Sequence, residues 1–271
     1  MLTCPLCQHP LYPQPQGLGC SNHHHFDRAR QGYYNLLPVQ FKRSQDPGDN
    51  AAMVEARQRF LNSGHYQPLA DRLTQLATGI APAISRWLDI GCGEGYYSAR
   101  LATTLPSAQG YALDISREAV KRGARRSTDI TWLVASMARL PVADASQDLL
   151  ISVFSPIDWQ EAARVLKPGG KILRLGPGRD HLLELRQQLY AEVRDYQDDK
   201  HILELPETLS AESVERIRIS LSLPSPQSRS DLLAMTPHGW RASAANRDRI
   251  IKDGLTVTID GRFDCLVRRP A

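Results

Sequence analysis

Apolar residues in "AAMVEARQRFLNSGHYQPLADRLTQLA", residues 51–77, recur every three or four positions, which predicts two helices broken near Ser63-Gly64. From Arg86 onward the rhythm changes. Short apolar runs, "RWLDIG", "GYALDI", "ITWLVAS", "QDLLISVF" and "GGKILRLG", read as strands. Between them "GYYSARLATTL", "SREAVKRGARR" and "WQEAARVL" carry helical spacing, and "KPGG" supplies a turn before the fifth strand. Strands that alternate with helices build a parallel, doubly wound α/β sheet. Farther on, "HLLELRQQLYAEV" predicts an amphipathic helix, and "VERIRISLSL" and "LTVTIDGRFDCLVR" predict the last strands.

The first fifty residues have neither periodicity. "CPLCQHPLYPQPQGLGCSNHHHFD" holds three of the five cysteines and four of the eight histidines. The spacing is Cys4-x2-Cys7, a twelve-residue excursion, then Cys20-x3-His24. Each short pair fits one tight turn, and "PQPQGLG" has the Pro and Gly that a hairpin needs to bring the second pair back. Three Cys and one His make a closed, structural zinc set. His25, at x4, competes with His24 for the fourth place. A segment this short needs a staple in order to fold.

At 271 residues, 42% hydrophobic and 23% charged, the chain has ample material for one large domain with an appendage. The net charge of +4 is mild but unevenly placed. Up to residue 43, Arg28, Arg30, Lys42 and Arg43 face only Asp27. No apolar run resembles an export signal or the ~20 residues of a membrane span, so the expectation is a soluble, cytoplasmic protein. Clustered cysteines in that compartment favour metal over disulfides. Cys92 and Cys265 lie outside the cluster, and Cys265 in "FDCLV" reads as a small core residue.

After the first strand comes Asp89-Ile90-Gly91-Cys92-Gly93-Glu94-Gly95. Gly91, Gly93 and Gly95 let the backbone approach a ligand, and the next helix aims its free N–H groups there. The G-x-G-x-G spacing differs from the dinucleotide fingerprint G-x-G-x-x-G. Asp89 and Glu94 would repel a pyrophosphate but not a sulfonium. Asp114, closing the second strand, is placed to accept two ribose hydroxyls. Together these favour S-adenosylmethionine over a nicotinamide dinucleotide.

With these features joined, the chain resembles the S-adenosylmethionine-dependent 23S ribosomal RNA guanine-N1 methyltransferases over nearly its whole length. "CPLC", "FDRARQGYYNLLPVQFKRSQDPGDN", "GHYQPL", "LDIGCGEGYY", "RVLKPGG", "PGRDHLLEL" and "MTPHGW" carry the likeness. The run "NLLPVQFKRSQDPGDN" is similar to the branch typical of Gram-negative bacteria. The resemblance implies a class I (Rossmann-like) methyltransferase sheet behind a small N-terminal zinc-binding domain. It implies structural Zn2+ on Cys4, Cys7, Cys20 and His24, and cofactor contacts from Tyr66, Gly93, Glu94 and His181. It further implies a homodimer acting on hairpin 35 of 23S ribosomal RNA, at the guanine at position 745, without DNA or membrane. "FSPIDW" departs from the family pattern.

The expected division is a zinc knuckle at 1–36, a basic linker at 37–52 and a methyltransferase domain at 53–271. Guanine N1 carries a proton that some group must accept. Asp158 lies beyond the fourth strand, but an Asp there is more often a helix cap, and the sequence names no catalytic base. Tyr33, Tyr34, Phe41 and Trp159 are candidates for stacking on bases. A second basic run, Arg117, Lys121, Arg122, Arg125 and Arg126, is as often a solvated helix face as an RNA contact.

Overall fold

The computed structural model describes residues 1–42, 44–80 and 84–270. Three short antiparallel strands, β1 (Tyr12–Gln14), β2 (Gly17–Gly19) and β3 (His25–Asp27), form the knuckle. β4 (Tyr34–Asn35) leaves it and pairs in parallel with an edge strand of the large sheet, so the end of the expected 1–36 unit is already part of the second layer. A 3-10 turn at Val39–Phe41 follows, then α1 (Ala51–Asn62) and α2 (Gln67–Gly79). Asn50 caps α1 by accepting the Met53 N–H at 3.0 Å, and the helix ends at Ser63-Gly64 where the break was expected.

The α/β core runs β5 (Arg86–Ile90), α3 (Tyr96–Thr104), β6 (Gln109–Asp114), α4 (Arg117–Arg126), β7 (Ile130–Val134), β8 (Gln147–Val153), α5 (Trp159–Val165) and β9 (Leu166–Pro177). Then come α6 (Leu183–Leu189), β10 (Leu209–Leu223), α7 (Pro226–Met235), α8 (Pro237–Arg241), α9 (Ala244–Asp253) and β11 (Leu255–Arg268). The sheet order is β10-β11-β9-β8-β5-β6-β7-β4, with β10 and β11 antiparallel. It doubles back at β5, and that switch point is where such sheets bind ligands. "KPGG" opens β9 as a bulge, because the pairing with β8 jumps from Leu166 to Lys171.

Alternation along each strand divides the apolar side chains between two faces. Trp87, Ala112, Trp132 and Ile151 join one cluster with α1, α2, α3, α4, α7 and α9. Leu88, Leu113, Leu133 and Leu150 join the other with α5 and with Leu2, Leu11 and Leu18 of the knuckle. The knuckle is therefore docked on the sheet's own core. Leu2 bridges to Val142, and the Thr3 N–H donates to the Pro141 carbonyl at 3.0 Å.

Two expectations change. The helix expected over 181–193 shrinks to Leu183–Leu189, because Leu182 takes a left-handed turn (φ 54°) and Tyr190 is extended. Between the last two strands lies a helical insertion, α7 to α9, that the strand pattern does not announce.

Candidate active site

In the knuckle, hairpin geometry collects Cys4, Cys7, Cys20 and His24, whose ligand atoms all lie within 4.8 Å of one another. The Cys7 and Cys20 sulfurs are 3.6 Å apart, and His24 Nδ1 is 3.4 Å from the Cys4 sulfur and 3.5 Å from that of Cys20. A tetrahedron with metal–sulfur bonds of about 2.3 Å has edges close to these lengths, so the set fits zinc. His25 is engaged elsewhere, with Nδ1 2.8 Å from Gln14 Oε1 and Nε2 3.0 Å from the Asp27 carboxylate. His23, at φ 60°, turns the chain between them.

The second site is a cavity of about 760 Å³ at the carboxyl ends of the central strands. That volume suits a nucleoside-sized ligand. Tyr66, Asp89, Gly91, Gly93, Glu94, Asp114 and His181 all line it. Gly95 does not; it starts α3 in a left-handed conformation (φ 83°), and a Cβ there would sit 2.4 Å from the Trp132 ring. Gly91 (φ 77°) would put a Cβ 2.0 Å from Ser155 Oγ, so the loop can pass that close to the β8 end only without a side chain. Gly95→Ala is expected to cost about 3 kcal/mol through backbone strain and the Trp132 clash, lowering the melting temperature by roughly 5–10 °C. A melting scan with an unchanged midpoint would refute this.

Four carboxylates line the cavity, Asp49 on the linker side and three at the glycine loop and strand ends. Asp89 is buried; one oxygen accepts the Ser98 hydroxyl at 2.6 Å and the other has no partner among the described residues. Burial pushes its pKa up to about 7. Asp114 is fixed by two backbone donors, the Gly93 N–H at 2.9 Å and the Ser116 N–H at 2.8 Å, and burial raises it as well. Glu94 is raised by burial but is paired with Arg126, while its other oxygen has no partner among the described residues. Unpartnered buried carboxylate oxygens fit a cationic ligand, which would repay their desolvation. Because Arg126 matches Glu94, repulsion of a pyrophosphate rests on Asp89 and Asp114.

The break between α1 and α2 delivers Tyr66 over the same cavity, its hydroxyl 3.4 Å from His181 Nε2. His181 Nδ1 lies 3.1 Å from the Asp260 carbonyl oxygen, and burial lowers its pKa to about 4, so the ring is neutral. Sequence reasoning did not find Arg57, which pairs with linker Asp49 at 2.5 Å and reaches the Met235 carbonyl at 3.4 Å. Nor did it place Phe154, Ser155, His238, Trp240 and Arg241 on the cavity wall. "MTPHGW" was the only signal for the helical part of that wall.

The remaining expectations sort by burial. Asp158 caps α5, accepting the Gln160 and Glu161 N–H groups at 3.1 Å, and does not line the cavity. Trp159 and Tyr33 are buried in the core and unavailable for stacking, while Phe41 is exposed with the Arg139 guanidinium 5.3 Å from its ring centre. Tyr34 is half-buried in β4. Arg28 and Arg30 are exposed, Lys42 is half-buried, and Arg43 lies outside the described residues. On α4, Arg122 and Arg126 bond α1 residues Gln58 and Asn62 and Lys121 pairs with Glu118, leaving Arg117 and Arg125 exposed. No helix among the described residues is long and apolar enough to cross a membrane.

Comparison with known proteins gives two family matches: "RlmA, N-terminal", a zinc ribbon, at residues 2–45, and "Methyltransferase domain" at residues 88–170. The 23S rRNA (guanine(748)-N(1))-methyltransferase of Streptomyces fradiae is 38% identical over 243 residues, covering 88% of this chain and 85% of that one. A malonyl-[acyl-carrier protein] O-methyltransferase from Hahella chejuensis is 33% identical, but over only 50% of each chain. Among solved structures, the [4+2]-cyclase SpnF superposes with a TM-score of 0.54 at 20% identity, covering 84% of this chain and all of that one. At that identity the likeness speaks for the fold alone.

Proposed function

Because the chain belongs to the 23S rRNA (guanine-N1)-methyltransferase family, we propose that it methylates N1 of the guanine at position 745, in hairpin 35, as a homodimer in the cytoplasm. The coarser activity, S-adenosylmethionine-dependent methylation of a guanine N1 in 23S ribosomal RNA with a structural zinc, comes with the family. The observation that carries the assignment of the donor site is the cavity at the sheet's switch point, edged by Asp89, Glu94 and Asp114. When bound, the donor supplies a methyl group on a sulfonium. On this reading Asp114 accepts the ribose hydroxyls, Gly91 and Gly93 let the backbone close on the ligand, and Asp89 and Glu94 face its positive charges. Tyr66 and His181 cover its amino-acid end. Alignment then does most of the catalytic work, since the leaving group is already good.

Guanine N1 lies on the Watson–Crick edge, so the target base must be unpaired or flipped into the cavity. Trp240, 53% exposed on the cavity rim with its Nε1–H held by the Ala234 carbonyl at 3.1 Å, offers a fixed ring for it to stack on. Arg28, Arg30 and Lys42 supply phosphate contacts beside the docked knuckle, and RNA affinity should fall steeply with salt.

Asp89 gives a pH prediction. Its pKa is raised on folding from 3.8 to about 7, so its ionisation destabilises the ligand-free fold as pH rises through 7. A cationic donor favours the ionised form. Donor affinity should therefore increase as pH rises through about 7, with proton release on binding below it. Calorimetry in buffers of different ionisation heat measures this, and an Asp89→Asn variant should lose the pH dependence.

The function is tested with radiolabelled S-adenosylmethionine and unmodified large-subunit RNA, the methyl being mapped by primer-extension stops. A stop at 745 supports the reading. A stop at 748, the position named for the Streptomyces relative, overturns the choice of nucleotide. Label entering lipid or quinone extracts instead overturns the RNA assignment.

A further inference from the structure

The motif "MTPHGW" folds as the end of α7 and most of α8, and it lines the cavity without a role in the donor reading above. α8 is held tightly. Gly239 passes so close to α7 that a Cβ would lie 2.0 Å from the Leu233 carbonyl oxygen. Arg247 of α9 reaches the Gly239 carbonyl at 3.4 Å, and Trp240 is tied to Ala234. His238 thus has a fixed place on the cavity wall. Its Nδ1 is 3.1 Å from the Tyr190 hydroxyl, its only side-chain hydrogen bond among the described residues.

Other titratable groups on this wall are either engaged or kept protonated, since burial raises Tyr66, Cys92, Tyr96 and Tyr97 above their ordinary values. His181 has both nitrogens engaged, Asp49 pairs with Arg57, Glu94 pairs with Arg126, and Asp89 and Asp114 edge the donor loop. We propose that His238 is the base that takes the N1 proton of the target guanine, with Tyr190 as the positioning residue that sets its tautomer. With Nδ1–H donating to the Tyr190 oxygen, Nε2 keeps its lone pair for the substrate. The N1–H bond breaks toward Nε2 and the N1–methyl bond forms. The electron pair of the sulfonium–methyl bond returns to sulfur, and the imidazolium later releases its proton to water. This inference rests on the guanine-N1 reading given above.

The surroundings suit the role. Arg186 and Tyr190 face the ring from α6 and its end, Arg241 from α8, and His181 from the loop before α6, while Arg247 of α9 contacts the neighbouring Gly239 carbonyl. Burial and then the charges of Arg186 and Arg241 lower its pKa, so the neutral, proton-accepting form is present at neutral pH.

The test is the single-turnover rate of N1 methylation of unmodified 23S RNA, at saturating donor and RNA, as a function of pH. Saturation removes the Asp89 contribution to donor binding. The wild-type rate should fall as pH drops through a value below the ordinary histidine pKa. His238→Asn should slow transfer about 100-fold or more without changing donor or RNA dissociation constants, lose that acidic limb, and regain rate with added imidazole. Tyr190→Phe should slow transfer less and keep the limb. A His238→Asn enzyme with the wild-type rate, or a slowed one that keeps the limb and ignores imidazole, overturns the proposal. Wild-type enzyme that places no methyl on N1 overturns the underlying reading instead.

Discussion

Replacing Cys20 with serine is expected to abolish zinc binding and dissolve the knuckle while sparing the donor site. Structural zinc contributes about 10 kcal/mol or more to small metal-stapled folds, and besides it the three short strands of the knuckle rely on a few apolar residues docked on the large sheet. Its apolar residues Leu2, Leu11 and Leu18 share a cluster with Leu140, Val142 and Trp159, so unravelling exposes one face of the large sheet. The melting temperature should drop by at least several degrees, and RNA affinity should fall with it. Donor affinity should change by less than roughly threefold. The reason is local: the linker is pinned at the cavity independently of the metal, by the Ser116 hydroxyl on the Asp49 carbonyl at 2.6 Å and by Arg57 on the Asp49 side chain. Metal analysis, filter binding with RNA and calorimetry with the donor measure the three effects. Equal losses of RNA and donor affinity would mean that the two parts are not energetically separate.

Asp114→Ala should weaken donor binding by about a hundredfold or more. Its carboxylate accepts the Gly93 and Ser116 N–H groups and still lines the cavity, so the change removes two ribose acceptors and strands two backbone donors. A hydrogen bond to a charged group is worth about 1.5–3 kcal/mol, and two of them exceed the 2.8 kcal/mol of a hundredfold change. Asp114→Asn keeps the shape and should lose less. Calorimetry decides; a tenfold or smaller loss for the alanine variant would show that the ribose is held elsewhere.

Much of this site is written in short-range patterns. The glycine turn needs three positive φ angles in five residues, which only that spacing supplies. The Ser63-Gly64 break puts Tyr66 where a helix starts, and Asp114 closes a strand whose alternation is plain. Cys4, Cys7 and Cys20 fall into place because turns and hairpins are local. Local patterns also suggested the wrong partner or extent in places. Nothing near Glu94 announces Arg126, thirty-two residues later, as its counter-ion. Nothing in "HLLEL" reveals that His181 will be held by Asp260 and that the helix will stop at Leu189.

The sequence alone determined the alternation of strands and helices, the donor loop and the zinc spacing, because each element or motif depends on residues within about twenty positions of one another. Only the tertiary structure decided between His24 and His25, buried Trp159, and brought α8 with His238 over the cavity. Those outcomes depend on which surfaces remain once distant segments pack, and packing is not encoded in any single stretch of chain.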